Sequence, residues 1–590
     1  MPTNWRAELR QAVTIARATF GGFLQSDVMP QGMQASATIW AAAFLAAPAM
    51  LLSSQFLGKY SFLQRYYPER LERAIWSDRG LFILLSSGAI GIVCVVMWDT
   101  LFPGRRDVFV LGSLPIRPRV QALGRLGSLL ALFVVFAAAL NVLPGVTYAM
   151  ISALTVTGAI RGLPAHLVAS IAADAFVFFG LTMVQGVLLV GAGRRASERL
   201  APILQMGTVL IVLLTLLFIG PLREATAVAL ERGNASDPIL RWFPLAWFVA
   251  IYETIGGTSR PIMAALAARG AVWAVTPLLV TAALYVFAFR RLCARAIETP
   301  AGSARFFLSR AVSATIRTLL VRHPTEQAIC AFTLRVLARS RRHRMLMAIY
   351  VGGALALIIT AILPAFLRHD TGLFARPTVA SLSPPLILSA ALAVGFRALL
   401  AIPVDLPARW IFRSCSLTPL RVAAGVHKAG LLVVLVPVAL SAWLSAAMFW
   451  DVSIAWRHAI FCAALSLFLL ELLLLKADGV PFARQYIPGA SRFHLLWPFY
   501  LSCFLAYTYS AAEAERLMLL EGDITTPVAI IVMLAGALAC MRWWRLWHTP
   551  ELSFEVEIPD ETFKGFNLSE GLAAHAVATH QVNGRSNIHV

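Results

Sequence analysis

Charge is scarce in this chain, and acid scarcer than base: charged residues are 14% of 590, with 30 Asp and Glu against 50 Lys and Arg. Lysine is nearly missing, occurring only at Lys59, Lys428, Lys476 and Lys564, so the positive charge is almost all arginine. Seven cysteines (Cys94, Cys293, Cys330, Cys415, Cys462, Cys503, Cys540) are scattered, with no CxxC and no Cys/His ligand spacing. A disulfide framework and a zinc module are therefore not expected. No GxxxxGK[ST], GxGxxG after a strand, HExxH or GxSxG occurs either. These absences exclude a nucleotide-hydrolysing, dinucleotide-binding, zinc-protease or acyl-transfer site of the ordinary kinds, so no catalytic residue, metal or cofactor of its own is expected for this chain.

What the chain has instead is apolar length, with 59% hydrophobic residues and a mean hydropathy of +0.74. Apolar stretches recur near 37–57, 80–99, 126–143, 165–192, 201–220, 268–290, 345–366, 384–403, 429–450, 456–475, 494–511 and 526–542. About twenty such residues span a bilayer as a helix, because hydrocarbon offers the backbone no other hydrogen-bond partner. The expected fold is an all-α polytopic membrane protein of about twelve transmembrane helices. The first span serves as its own insertion signal, since no cleavage pattern precedes it.

The arginines set the orientation. Inner loops collect Arg105, Arg106, Arg117, Arg119 and Arg125, then Arg194, Arg195 and Arg199, the dense run from Arg290 to Arg344, and Arg409, Arg413, Arg421 and Lys428. The opposite loops carry Glu224, Glu231, Asp237, Asp370, Asp451, Glu513, Glu515, Glu521 and Asp523. Positive charge stays inside, which puts both termini in the cytoplasm and the chain in a cytoplasmic membrane. Charge clustered beside apolar spans is topogenic, so nucleic acid is not an expected partner and membrane lipid is. One loop dissents: residues 58–79 place Lys59, Arg65, Arg70, Arg73 and Arg79 on the outer side.

Two segments read as interfacial helices. Residues 4–24 set Trp5, Leu9, Val13, Ala16 and Phe20 at helical spacing against Arg6, Arg10 and Arg17, and residues 305–344 mix Phe306, Phe307, Ile316, Leu319 and Leu320 with arginines. Each precedes the first span of a six-helix half. A shift of about 302 residues lays the first span near the seventh, the second on the eighth and the third on the ninth, and sets Leu114–Val120 over Ser416–Val422. The expected organisation is an interfacial segment (1–36), a first half (37–290), a basic connector (291–344), a second parallel half (345–542) and a polar cytoplasmic tail (543–590).

The inner loop from Phe102 to Arg125 is the most informative polar segment. Trp98-Asp99 and Phe102-Pro103-Gly104-Arg105-Arg106-Asp107 close a span, and Leu114-Pro115-Ile116-Arg117 lies midway to the next. Pro244-Leu245-Ala246-Trp247-Phe248, Arg339-Ser340-Arg341-Arg342-His343-Arg344 and Pro481-Phe482-Ala483-Arg484-Gln485-Tyr486-Ile487-Pro488-Gly489 add further motifs. In these stretches the chain resembles the permease subunits of bacterial ABC exporters of the second type, specifically large members with two halves fused. The resemblance implies that the inner loops carry helices coupling the permease to separate ATPase subunits. Its site expectation is Arg105, Arg106, Asp107, Pro115, Arg117 and Arg119 in the first half, with Arg409, Arg413, Arg421 and Lys428 in the second. ATP would act through that partner, moving an unidentified substrate.

Ionisable residues inside spans are independent candidates, since burying a charge in hydrocarbon costs about 3 kcal/mol on insertion scales. Asp174 and Glu471, each in the fourth span of its half, are the expected lining of a translocation path. Plainer readings pair Glu471 with Lys476 and Asp174 with Thr182 or another helix. His166, His458 and His494 lie near membrane boundaries and share no metal-like spacing, so interfacial hydrogen bonding is expected of each. Rival functions are a gradient-driven transporter working through Asp174 or Glu471, a non-transporting scaffold, and a membrane transferase. For the last, the loop 221–267 offers Glu224, Glu231, Asp237 and Glu253, but Arg223, Arg232, Arg241 and Arg260 balance them as in a solvated loop.

Overall fold

The computed structural model describes residues 5–24, 56, 58–98, 100–153, 155–191, 193–257, 260–297, 323–367, 376–404, 412, 415, 417–475, 480–483, 493–521 and 525–547. Every regular element among them is helical. Among the described residues nine helices are long and apolar enough to cross a membrane: α3 (Pro68–Val96), α5 (Pro118–Ser152), α6 (Val156–Gly191), α7 (Gly193–Leu217), α11 (Pro261–Phe287), α14 (Arg341–Leu367), α15 (Val379–Leu400), α16 (Pro419–Phe449) and α17 (Val452–Leu474). They coincide with the second to tenth expected spans. The eleventh and twelfth fall within α18 (Phe493–Glu521) and α19 (Thr525–Trp547), while the first lies almost wholly outside the described residues.

These helices turn large apolar side chains outward. Val134, Val272, Leu279, Phe287, Leu440 and Met448 are all exposed, with Phe287 at 86%. Such a surface suits lipid rather than water. Proline sets several starts: Pro68, Pro118, Pro261 and Pro419 each sit in a first turn, where the missing N–H has no intrahelical partner to lose. The spans consequently begin earlier than hydropathy places them, Pro68 rather than 80 and Pro118 rather than 126, because their first turns are polar and stand outside the apolar window.

Shorter helices gather at the two ends. One end, rich in arginine, holds α1 (Trp5–Leu24), α4 (Arg105–Gly112), α12 (Phe289–Ile297) and α13 (Pro324–Arg339). The opposite end holds α2 (Lys59–Tyr66), α8 (Ile219–Arg232), α9 (Pro238–Trp242) and α10 (Pro244–Gly256). Helix α10 is buried nearly throughout, and its Trp247 indole donates to the Leu240 carbonyl (2.9 Å). The expected 305–344 interfacial helix is described from Pro324 on; Phe306, Phe307, Ile316, Leu319 and Leu320 lie outside the described residues.

One packing detail recurs along the chain. Helices α5 and α16 both start on a first-turn proline and both carry glycine as their seventh residue, Gly124 and Gly425. A β-carbon on Gly124 would lie 2.8 Å from Ile15 Cβ and 2.9 Å from the Ala12 carbonyl oxygen. One on Gly425 would lie 2.8 Å from Ile329 Cβ and 2.8 Å from the Glu326 carbonyl oxygen. The same glycine crossing thus docks α1 on α5 and α13 on α16, each through an isoleucine and the carbonyl three residues before it. The prolines fix the register at 301, one less than the sequence comparison suggests, so Pro118 lies over Pro419 rather than over Leu420.

Separate cores form around Phe178, Phe179 and Tyr285, around Trp247 and Tyr252, and, among the helices from α13 on, around Phe396 and Val434. Helix α7 lies along α14. There Gly352 rests on the Met206 carbonyl, and Trp98, Ala201 and Met345 cluster.

Candidate functional site

Asp174 is fully buried near the middle of α6. Ser86 Oγ from α3 lies 2.6 Å from both carboxyl oxygens, and Asn141 Nδ2 from α5 donates to one of them at 2.7 Å. The same Asn141 amide donates to the Ala137 carbonyl (2.9 Å), which fixes its rotamer. Three helices therefore converge on one acid, and among the described residues no cationic side chain bridges to it. The suggested partner Thr182 is turned to its own helix, donating to Phe178.

A polar stripe climbs α6 from this acid, since Ser170 and His166 stand one and two turns earlier on the same face. Both are buried, and among the described residues neither the Ser170 hydroxyl nor either ring nitrogen of His166 has a hydrogen-bond partner. Aromatic rings of Phe82, Tyr148 and Tyr252 surround the imidazole, with centroids 5.9 to 6.2 Å away. Above it lies an ionic cluster at the bundle end. Asp78 accepts from Lys59 (2.5 Å), Tyr60 (2.9 Å) and Arg223 (3.0 Å), Tyr60 and Tyr148 share a hydrogen bond (2.8 Å), and Arg79 pairs with Glu253 while stacking on Tyr252. Burial, with Tyr148 and Asp78 adding to it, pushes the Tyr60 phenol above its ordinary range and keeps it a donor.

The same cluster accounts for the loop that breaks the charge rule. Besides Lys59 and Arg79, Arg73 of that loop pairs with Glu224 (2.5 Å), and its Glu72 with Arg260 (2.6 Å). Lys59, Arg73 and Arg79 are thus ion-paired within the fold, and Glu224, Glu231 and Glu253 of the 221–267 loop supply the acids for the last two.

At the arginine-rich end, α4 is held by a buried clamp. Asp107 accepts from the Gly104 amide (3.1 Å) at the helix start and meets Arg125 (3.4 Å), which donates onward to the carbonyls of Thr100 (2.6 Å) and Phe102 (3.3 Å). Gln121 donates to the Leu111 carbonyl (2.9 Å), Gln185 of α6 to that of Trp98 (2.9 Å), and Tyr285 of α11 to that of Leu101. Arg125 is thus a buried anchor rather than a solvated topogenic charge. Beyond the clamp, Phe109 and Val110 are more than half exposed, and Leu114, Pro115, Arg117 and Arg119 are exposed beside them. Arg117 reaches Glu8 of α1 at 2.5 Å.

Of the corresponding second-half residues, Lys428 pairs with Glu326 and Arg421 contacts His323 (3.4 Å), both holding α13. Arg409 and Arg413 lie outside the described residues, as do the side chains of Arg105 and Arg106. Glu471 is not near Asp174. It sits on α17 toward the arginine-rich end, with His427 at 2.9 Å and Arg542 at 3.2 Å, in place of the expected Lys476, which lies outside the described residues.

Ser86 and Asn141 are the residues that sequence reasoning missed. Ser86 gives no signal in an apolar run, but Asn141 at mid-span does, for a lone amide in hydrocarbon needs a polar partner. The chain matches no protein-family model, no curated protein and no solved structure.

Proposed function

We propose that this chain is the permease of an ATP-driven exporter, with twelve spans in two parallel halves and both termini on the cytoplasmic side of a bacterial inner membrane. The observation that carries the reading is the α4 platform. An apolar and arginine-bearing surface (Phe109, Val110, Leu114, Pro115, Arg117, Arg119) stands on a loop tied by Arg125, Gln185 and Tyr285 to α5, α6 and α11. A partner pressing on that surface pushes on three spans at once. Separate ATPase subunits are the partner that the resemblance supplies, and the repeated α1/α5 and α13/α16 crossings suit two halves that rock against each other. The cargo is any substrate released by that motion, in contact with lipid on the outward faces.

Purification from the native membrane in mild detergent, with identification of co-purifying chains and an ATP-hydrolysis assay, tests this directly. A stoichiometric ATPase lost on Arg119→Glu supports it. Retention of the ATPase in Arg117→Glu/Arg119→Glu refutes the platform. Glu8→Gln is the control, because it removes the Arg117 ion pair without touching the platform.

A second reading, gradient-driven transport, is favoured by one observation: the three-helix cradle of Asp174 beneath the unpartnered His166 and Ser170. Asp174→Asn separates the two readings, as developed below.

A further inference from the structure

The second half carries a different buried polar group, remote from α4 and from Asp174. His458 and Cys462 stand one turn apart on α17, and Glu515 faces them from α18. All three are buried, with Cys462 Sγ 3.7 Å from His458 Nδ1 and Glu515 Oε1 2.7 Å from the same nitrogen. The ligand atoms of the three all fall within 4.8 Å of one another. The second carboxylate oxygen of Glu515 is buried with no hydrogen-bond partner among the described residues. The Trp450 ring stands edge-on to the imidazole, 6.5 Å between centroids.

We propose that His458, Cys462 and Glu515 bind one zinc ion that staples α17 to α18. Tetrahedral zinc holds sulfur at about 2.3 Å and nitrogen or oxygen at about 2.0 Å, which sets N–S near 3.5 Å and N–O near 3.3 Å. The sulfur already lies 3.7 Å from the nitrogen, and the carboxylate opens by about half an ångström to admit the ion. Charge favours a divalent metal. Binding releases the thiol proton, and one Zn²⁺ with one thiolate and one carboxylate is neutral, so the filled site carries no uncompensated charge into hydrocarbon. The second Glu515 oxygen, with no hydrogen-bond partner among the described residues, completes the coordination to four. The i, i+4 helical spacing of His458 and Cys462 delivers two ligands on one face, and the third comes 53 residues later, which is why no local motif announces it.

The test is metal content of the full chain, purified in mild detergent through a tag free of histidine and cysteine. The expected result is about one zinc per chain and, after chelator treatment and Co(II) loading, a thiolate-to-cobalt charge-transfer band. Cys462→Ser should bring zinc to background and abolish the band while leaving the size-exclusion profile unchanged, since the His458–Glu515 bond remains. Glu515→Gln preserves a hydrogen bond to His458 and serves as the second variant, with at least a tenfold weaker zinc affinity expected. A monodisperse parent that holds no zinc and takes up neither Zn(II) nor Co(II) on titration overturns the proposal and leaves a hydrogen-bonded His–Glu pair. Full zinc content in Cys462→Ser overturns it equally.

Discussion

Replacing Asp174 separates what its carboxyl does for packing from what it does for transport. Alanine leaves the buried Ser86 hydroxyl and one N–H of the buried Asn141 without the acceptor they share. An orphaned buried donor costs about 1–3 kcal/mol in soluble proteins, while interhelical hydrogen bonds in membranes average about 0.6 kcal/mol. Two such losses sum to roughly 1–6 kcal/mol, or a fall in Tm of at least about 2 °C for a unit of about 250 residues. Asparagine keeps one carbonyl oxygen toward the same donors and should cost about 1 kcal/mol or less. Thermal unfolding in detergent measures both, and transport in proteoliposomes is read on Asp174→Asn alone, whose packing is nearly preserved. An ATP-driven permease keeps most of its rate in that variant, whereas a carrier that cycles a proton or ion on this carboxyl loses it. An alanine variant as stable as the parent would refute the three-helix cradle itself.

The repeated crossings predict a paired result. Gly124→Ala should raise hydrogen exchange throughout Trp5–Leu24 and Gly425→Ala throughout Pro324–Arg339, each by about 1–3 kcal/mol of overpacking against a backbone carbonyl that cannot move aside; either variant loosening both helices would contradict independent docking. Arg125→Met should weaken ATPase co-purification while the chain still inserts, because Asp107 and the Thr100 and Phe102 carbonyls lose their clamp; unchanged binding counts against transmission through α4. Orientation is read by an impermeant maleimide: exposed Cys415 should label in inside-out vesicles and not in right-side-out ones, and the reverse would invert the topology. Cys330 should resist at pH 8 from either side, since burial pushes its thiol up to about 11, and its alkylation should rise only as pH approaches that value.

Much of the scaffold is legible in the sequence because hydrocarbon imposes one rule, a helix of apolar residues long enough to cross. The second to tenth expected spans and the helix over 5–24 appear where periodicity and hydropathy put them. What composition hides is which charges are solvated. Arg125 reads as one more basic loop residue, yet it is buried against backbone carbonyls; Lys59, Arg73 and Arg79 read as an orientation anomaly, yet their partners lie 19 to 174 residues away along the chain. The candidate acids divide the same way. Asp174 is as buried as the apolar run around it implies, but its cradle depends on Ser86 and Asn141 from two other helices. Glu471 looks like its twin by position and is instead an ion-paired residue near a helix end.

The α1/α5 and α13/α16 crossings share a contact, and the helices around them differ in what they bury. Their common feature is a contact that tolerates no side chain: glycine at the seventh residue of a proline-started helix, pressed by isoleucine and a carbonyl. Because a β-carbon there meets backbone, a sequence that keeps the crossing must keep the glycine, whatever the interior does. The interior has diverged. On α6 the stripe His166, Ser170, Asp174 has its histidine unpartnered and its acid fully hydrogen-bonded; on α17 the stripe His458, Cys462, Ser466 has its histidine bonded to an acid from α18 and its serine bonded to Ser389. A transport path lined by both stripes alike would need the same chemistry on α6 and on α17, and these stripes do not provide it. The polar groups therefore differ in kind: on α6 Asp174 is held by Ser86 and Asn141 from two other helices, whereas on α17 His458 is tied to Glu515 of α18.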